Sequence, residues 1–333
     1  QVTGLEAVFL ERLHSAERKI RKEIVDLMKE ELLPPSNRNW RKIIEEGFKE
    51  EGITEKPIEA AIAQQVQALE VLYRTRLAIL TGGAGVGKTT VLRAFARGIR
   101  EIDKNHKFLL LAPTGKASVI MRRKVGLEAR TIHSLLMSAK WINPRNWTLL
   151  REGGARVGGI QTVIIDEASM LDVELMATLF RALNWNEIER LVLVGDANQL
   201  PPIGPGKPFA DILEHIRADE NRMKRHLAEL TFNCRQSQGS LIAKLAAHYA
   251  RSQERPDEEV LWLLEKKQSK GDLVIYFWEN EDELYELLKR VLLDAVSEIA
   301  QTKKIMTNQR DNLSENFDLV HGIADLKVPK DLE

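Results

Sequence analysis

The chain has 333 residues, 44% of them hydrophobic, enough for two or three domains with real cores. Lys+Arg and Asp+Glu number 49 each, which excludes a chain that is basic or acidic throughout, so any nucleic-acid surface must be local. The single cysteine, Cys234, excludes an internal disulfide and a cysteine-cluster zinc site and fits a reducing compartment, and no apolar run approaches the ~18 residues of a membrane span.

Residues 1–57 are expected to form a helical N-terminal domain. Phe9, Leu13, Ala16, Ile20, Ile24 and Leu27 recur at steps of three and four, which puts one apolar stripe on a long helix within 5–31. Pro34 and Pro35 end it, and helices over 41–50 and 58–73 follow. The opening segment is charged throughout, without an initiator Met or a signal-peptide core. The expectation is a cytoplasmic protein, present here as a fragment or a processed form.

From residue 76 the rhythm changes. Short apolar runs at 76–80, 107–112, 162–166, 190–195 and 228–232 alternate with helical stretches. Such runs indicate a parallel sheet covered on both faces, an α/β fold. The first run leads into "TGGAGVGKTT", which matches G-x-x-x-x-G-K-[ST]. Gly82, Gly83, Ala84, Gly85, Val86, Gly87, Lys88, Thr89 and Thr90 are expected to cradle phosphates on backbone N–H groups at a helix N-terminus. Lys88 would reach the β/γ-phosphates and the Thr89 hydroxyl would ligate Mg²⁺. Upstream, Gln65 could read an adenine edge, though Gln64 and Gln67 are equally placed and a solvated helix face explains all three.

The second run opens "APTGKAS" at a strand end, where α/β sheets bind ligands. Residues 107–156 carry ten Lys/Arg, Lys116 among them, against two acids, Glu128 and Glu152. That local surplus fits a track for a phosphate backbone. Within it, "WINPRNW" reads as a turn flanked by Trp141 and Trp147. These rings either stack on bases or pack on each other to hold a small hairpin. "RTIHSLL" contributes Thr131 and His133.

"TVIIDEASM" supplies Asp166 to hold Mg²⁺ and Glu167 to orient or deprotonate an attacking water. No N-K-x-D guanine-reading motif is present, so the expected nucleotide is ATP. The next strand runs into "GDANQLPPIGPG", too stiff for an ordinary turn. Its Gln199 can donate to a γ-phosphate, and the prolines behind it would carry a displacement onward. A strand–helix–strand from 272 to 307 looks like the start of a second α/β domain, and 251–333 is too short to complete one.

In this order, "LTGGAGVGKTT", "LLLAPTGKAS", "RTIHSLL", "IIDEASM", "LVGDANQLPPIGPG" and "FNCRQS" resemble superfamily 1 DNA helicases of the RecD family. The resemblance implies a P-loop, RecA-like parallel sheet with helices on both faces. A helical domain precedes it and a partial second RecA-like domain follows. The first motor domain would comprise 58–136 and 161–250, with 137–160 a hairpin insert that splits the duplex and 251–333 the partial domain. The implied activity is ATP-dependent translocation on single-stranded DNA, 5′ to 3′, with strand separation at single/double-strand junctions, in repair or recombination. Lys88, Asp166, Glu167, Gln199 and Arg235 would be catalytic, with ATP and Mg²⁺ as ligands. Pro113, Thr114, Lys116, Thr131, His133 and Pro201 would face DNA beside the two tryptophans. A monomer is expected, with repair proteins as partners and no membrane.

The resemblance weakens after about 250. The sole Gln-Gly-Ser, at 238–240, lies too close to Arg235 to serve a second motor domain, and no arginine-finger segment follows. Slow hydrolysis or none by the chain alone, with ATP and DNA still bound, is therefore expected. Two other readings remain open: a P-loop ATPase that remodels protein or loads clamps, and a DNA-binding module without independent hydrolysis.

Overall fold

The computed structural model describes residues 10–50, 59–83, 85–196, 198–232, 241, 242, 245, 258–266, 269–271 and 273–307. Those from 10 to 232 belong to one compact unit, those from 241 on to a second.

The first unit is built on a six-stranded sheet. In chain order its elements are helices α1 (Glu11–Lys29), α2 (Trp40–Glu50) and α3 (Glu59–Arg74), then strand β1 (Leu77–Gly82) and helix α4 (Lys88–Ile102). Next come β2 (Phe108–Ala112), α5 (Gly115–Val125), β3 (Ala129–Thr131), α6 (Ile132–Ser138) and β4 (Thr162–Ile165). A 3₁₀ turn (Ala168–Met170), α7 (Val173–Ala182), β5 (Arg190–Gly195), α8 (Pro208–Arg217), α9 (Glu220–His226) and β6 (Leu227–Leu230) complete it. The strand order is β3-β2-β4-β5-β1-β6, and every neighbouring pair is parallel. The expected sheet is thus present with one further strand, β3, at its edge.

Alternation along the strands sends side chains to two cores. Leu77, Ile79, Val163, Ile165, Leu191 and Leu193 point to one face, where α1, α6, α7 and α8 cover them. Ala78, Leu80, Ile164, Val192 and Val194 point to the other, under α2, α3, α4 and α5. Four helices start on a side chain that accepts from the backbone N–H three residues on: Thr114 from Ala117, Thr131 from Ser134, Asp172 from Leu175 and Asp219 from Arg222. Each such cap is worth about 1 kcal/mol.

Helices α1 and α2 do not form a domain of their own. The α1 stripe Ala16, Ile20, Ile24 and Leu27 is buried in the first core, and Trp40, Ile43, Ile44 and Phe48 of α2 are buried in the second. A helix with one apolar stripe must bury it, and here the sheet's own helices provide the cover.

In the second unit, the described residues between α10 (Glu258–Glu265) and α11 (Glu281–Thr307) include a β-bridge from Lys270 to Leu273. Leu241, Leu263 and Leu273 are its buried apolar residues among those described. The expected strand–helix–strand is corrected here: 274–278 is not a strand, and 303–307 continues α11. No strand among the described residues pairs with 274–278, and an unpaired strand leaves its backbone groups unsatisfied. The 27 residues of α11 contain neither Gly nor Pro, so nothing in them stops the helix before "KKIMT".

Candidate nucleotide and nucleic-acid site

The central strands β4, β5 and β1 lie side by side, with β5 between the other two. Their carboxyl ends therefore deliver the phosphate loop, the acidic pair and the loop after β5 to one edge of the sheet, the usual place for a ligand in an α/β sheet. Ala84 of the phosphate loop lies outside the described residues. Gly87 caps α4 in the left-handed region (φ 93°), which a Cβ would strain, and Val91 N–H donates back to its carbonyl. Lys88 Nζ donates to the carbonyls of Gly82 (2.6 Å) and Gly83 (2.9 Å), a position from which the ammonium lies over the loop.

Gln65 is buried at 2% exposure, and its amide nitrogen lies 2.5 Å from where a Cβ on Gly87 would stand. Its Oε1 has no hydrogen-bond partner among the described residues. The neighbouring Gln64 is committed elsewhere: its carbonyl accepts from Thr231 N–H (2.9 Å) and its amide donates to the Thr231 hydroxyl (3.1 Å). That separation of roles between Gln64 and Gln65 is not legible in the sequence.

Asp166 follows β4 directly, its N–H donating to Leu111 O of β2 (2.8 Å). Burial, and then the charge of Glu167, push its carboxyl from an ordinary 3.8 up to about 6, against smaller opposing effects of the Glu167 backbone and Lys88. Glu167 takes a left-handed backbone (φ 50°), unusual for a residue with a side chain and costing about 1–3 kcal/mol. Its Oε2 and the Ser169 hydroxyl are buried and have no hydrogen-bond partner among the described residues. Two adjacent half-buried carboxylates, one with an oxygen that has no partner among the described residues, suit positive charge and donors from outside the chain. The residues present fit Mg²⁺ and a hydrated phosphate.

A cleft of about 370 Å³ brings Thr89, Asp166, Glu167 and Gln199 together with Thr114, Lys116 and Lys124. Residues from four separate motifs thus line one space. Gln199 is exposed and its N–H donates to Asp196 O (3.2 Å). Behind it the proline loop is docked on α7, where Val173 N–H donates to Pro205 O (3.0 Å). Leu200 stands 87% exposed, and Pro201 and Ile203 are exposed too.

The nucleic-acid candidates divide. Pro113, Thr114, Lys116, Thr131 and His133 sit on or just past the carboxyl ends of β2 and β3, with Lys116 and His133 exposed. Thr114 and Thr131 have a structural duty as helix caps. Trp141 is a correction: it is 6% exposed, packs in the first core and donates from Nε1 to Ala155 O (2.8 Å), so it is not available to stack on a base. Its partner in the motif, Trp147, is 66% exposed with a left-handed backbone (φ 59°). The segment 141–150 does turn back on itself, through Asn143 N–H to Thr148 O and Leu150 N–H to Trp141 O (both 2.9 Å). Arg235 lies outside the described residues, as do 238–240.

Among the described residues no helix is long and apolar enough to cross a membrane, and no group of His, Cys, Asp and Glu offers a preformed metal cluster. The sequence of a family described as an AAA domain matches residues 61–268, more than half of the chain. An uncharacterized protein of Methanocaldococcus jannaschii is 35% identical over 193 residues, 56% of this chain and 16% of that protein. The ATP-dependent RecD2 DNA helicase of Deinococcus radiodurans is 30% identical over 211 residues, 62% of this chain and 26% of that protein. The RecBCD enzyme subunit RecD of Mycolicibacterium smegmatis is 32% identical over 180 residues, 47% of this chain and 31% of that protein. The chain therefore spans less than a third of the length of each of these relatives.

Proposed function

Because the chain belongs to this AAA domain family, we propose that it is the ATP-hydrolysing motor core of a RecD-type DNA helicase or translocase. The observation that carries this reading is the shared cleft, in which Thr89, Asp166, Glu167 and Gln199 meet Thr114 and Lys116. A nucleotide-responsive glutamine and a candidate strand-binding edge there belong to one surface. Similarity to the RecD2 helicase and to the RecD subunit supports the same reading.

The residues divide the chemistry as follows. Lys88 exchanges the Gly82 and Gly83 carbonyls for the β/γ-phosphates of ATP, neutralising charge where it develops. Thr89 and Asp166 would hold Mg²⁺, which supplies charge neutralisation on the phosphate oxygens. Glu167, fixed by its left-handed backbone, takes a proton from water as the water oxygen bonds to the γ-phosphorus. The bond to the β–γ bridging oxygen breaks, and ADP and inorganic phosphate leave. Gln199 donates to the γ-phosphate before cleavage and loses that partner after it. The exposed edge formed by Pro113, Lys116, His133 and Pro201 takes single-stranded DNA, and Trp147 at the hairpin tip meets the junction. Translocation runs 5′ to 3′.

Lys88→Ala tests the motor. ATP turnover and strand separation by the protein are both expected to be abolished with the fold intact. Strand separation that survives in this variant overturns the reading.

A further inference from the structure

The face of the first unit away from the phosphate loop holds a second cavity, of about 280 Å³, between α1, α7 and the returning arm of the hairpin. Arg12 of α1, Arg151 after the hairpin, and Arg181 of α7 converge on it. A single carboxylate lines it, Glu174, and Arg12 already occupies that carboxylate, its Nη2 donating to Oε2 at 2.5 Å. Arg181 lies two turns along the same stripe of α7, past Thr178. Among the described residues neither Arg151 nor Arg181 makes a hydrogen bond or an ion pair.

Three guanidiniums that share one carboxylate leave positive charge uncompensated, which is the more costly as Arg181 is half-buried. Burial first and the neighbouring Arg151 second both press the Arg181 guanidinium below its usual pKa, with Glu174 opposing them. The threonine hydroxyls that line the cavity are engaged as donors, Thr178 to Glu174 O (2.8 Å) and Thr148 to Asn146 Oδ1 (2.8 Å), and a hydroxyl carries no charge to offset the guanidiniums. What the site lacks is an anion with several acceptor oxygens, and two planar guanidiniums match a phosphate.

We propose that the Arg151–Arg181 groove binds a backbone phosphate of the nucleic acid handled at the hairpin. The hairpin itself identifies the source. Thr148, Leu149 and Leu150, which line the groove, follow immediately on the exposed Trp147, so a strand that meets the tip passes the groove. Arg12 and Arg181 lie outside the basic window of 107–156, so the groove adds a phosphate contact that the local charge surplus does not contain. The inference rests on the motor reading.

The test uses the 333-residue chain and a fluorescent duplex with a 5′ single-stranded tail, titrated from about 50 to about 200 mM salt. Wild type is compared with Arg151→Gln/Arg181→Gln. Loss of one phosphate contact is expected to reduce the slope of log affinity against log salt by about 0.7–0.9. Nucleotide affinity stays unchanged, and the melting temperature is kept or raised because the arginine pair no longer repels. An unchanged slope in the folded variant overturns the groove while leaving the motor reading intact. Failure of wild type to bind the duplex at any salt overturns both. Inorganic phosphate forms the second arm: if it raises the melting temperature of wild type but not of the variant, and the slope is unchanged, the groove takes a free anion and the nucleic-acid assignment falls. Should the double variant not fold, Arg151→Gln alone, at the exposed rim, carries the slope measurement: a reduced slope supports the groove and an unchanged slope overturns it.

Discussion

Asp166→Asn is expected to abolish hydrolysis and at the same time stabilise the nucleotide-free protein. Burial and the adjacent Glu167 raise the Asp166 carboxyl from 3.8 to about 6. The folded state therefore prefers the proton more than the unfolded state does, so ionisation costs stability. The cost is absent below about pH 3.8, grows between the two values and is complete above about pH 6. About two pKa units correspond to about 3 kcal/mol as an upper limit at pH 8, falling to roughly half of that at pH 5. Asn keeps the shape without the charge. At pH 8 the variant should melt higher by at most about 6–12 °C, at about 2–4 °C per kcal/mol for a unit of this size. Two buried histidines, His106 and His226, both held below their usual pKa first by burial, lose stability as the pH falls below 6.5. They do so equally in both proteins, so the difference between wild type and variant isolates Asp166. Thermal melts without nucleotide at pH 8 and pH 5 make the comparison. A variant no more stable than wild type at pH 8, or a gap that does not shrink at pH 5, refutes the account of a desolvated carboxylate kept for function.

The two tryptophans of the hairpin should separate. Trp141→Ala empties a buried site and leaves Ala155 O without its donor, costing about 3–5 kcal/mol, so denaturant midpoint, ATPase and strand separation fall together. Trp147→Ala should shift stability by less than about 0.5 kcal/mol and reduce strand separation with ATPase retained; parallel loss of both activities would make that ring structural. Gln199→Ala is expected to keep ATP binding while more ATP is consumed per base pair separated. Unchanged coupling in that variant returns the loop to an ordinary turn.

The sheet was legible because each central strand is a continuous apolar run, buried on both faces, ending in a motif of recognisable composition. The phosphate loop, Asp166, Glu167 and Gln199 could be placed at one edge because β1, β4 and β5 carry them at their carboxyl ends. Strand β3 escaped because it has three residues and pairs on one side only, with β2. Its "ART" has no period to detect. The boundary drawn at residue 57 failed for another reason. An amphipathic stripe reveals that a helix needs cover but not which element provides it, and Ile20 and Ile24 are covered by the motor itself. Trp141 and Trp147 show the same limit on a smaller scale. Both sit beside basic residues, and only the turn geometry decides that one ring goes inward to Ala155 O while the other faces solvent. The arginine groove was out of reach altogether, since Arg12, Arg151 and Arg181 are scattered over 170 positions of the chain.

Helix α7 connects the two sites. Its first residue, Val173, receives Pro205 of the loop that carries Gln199, and its cap Asp172 accepts from Leu175 N–H (2.8 Å). Its residues Glu174, Thr178 and Arg181 line the groove under the hairpin. The ten residues of α7 span about 15 Å, and eight of them are buried, so the helix moves as a rigid body or not at all. The prolines of the loop leave few soft dihedrals between Gln199 and the helix end. On the proposed function, a displacement of Gln199 on loss of the γ-phosphate would reach α7 through the Val173–Pro205 contact, and through α7 Arg181. With both proposals in place, release of phosphate at the cleft would alter the grip on a phosphate in the groove.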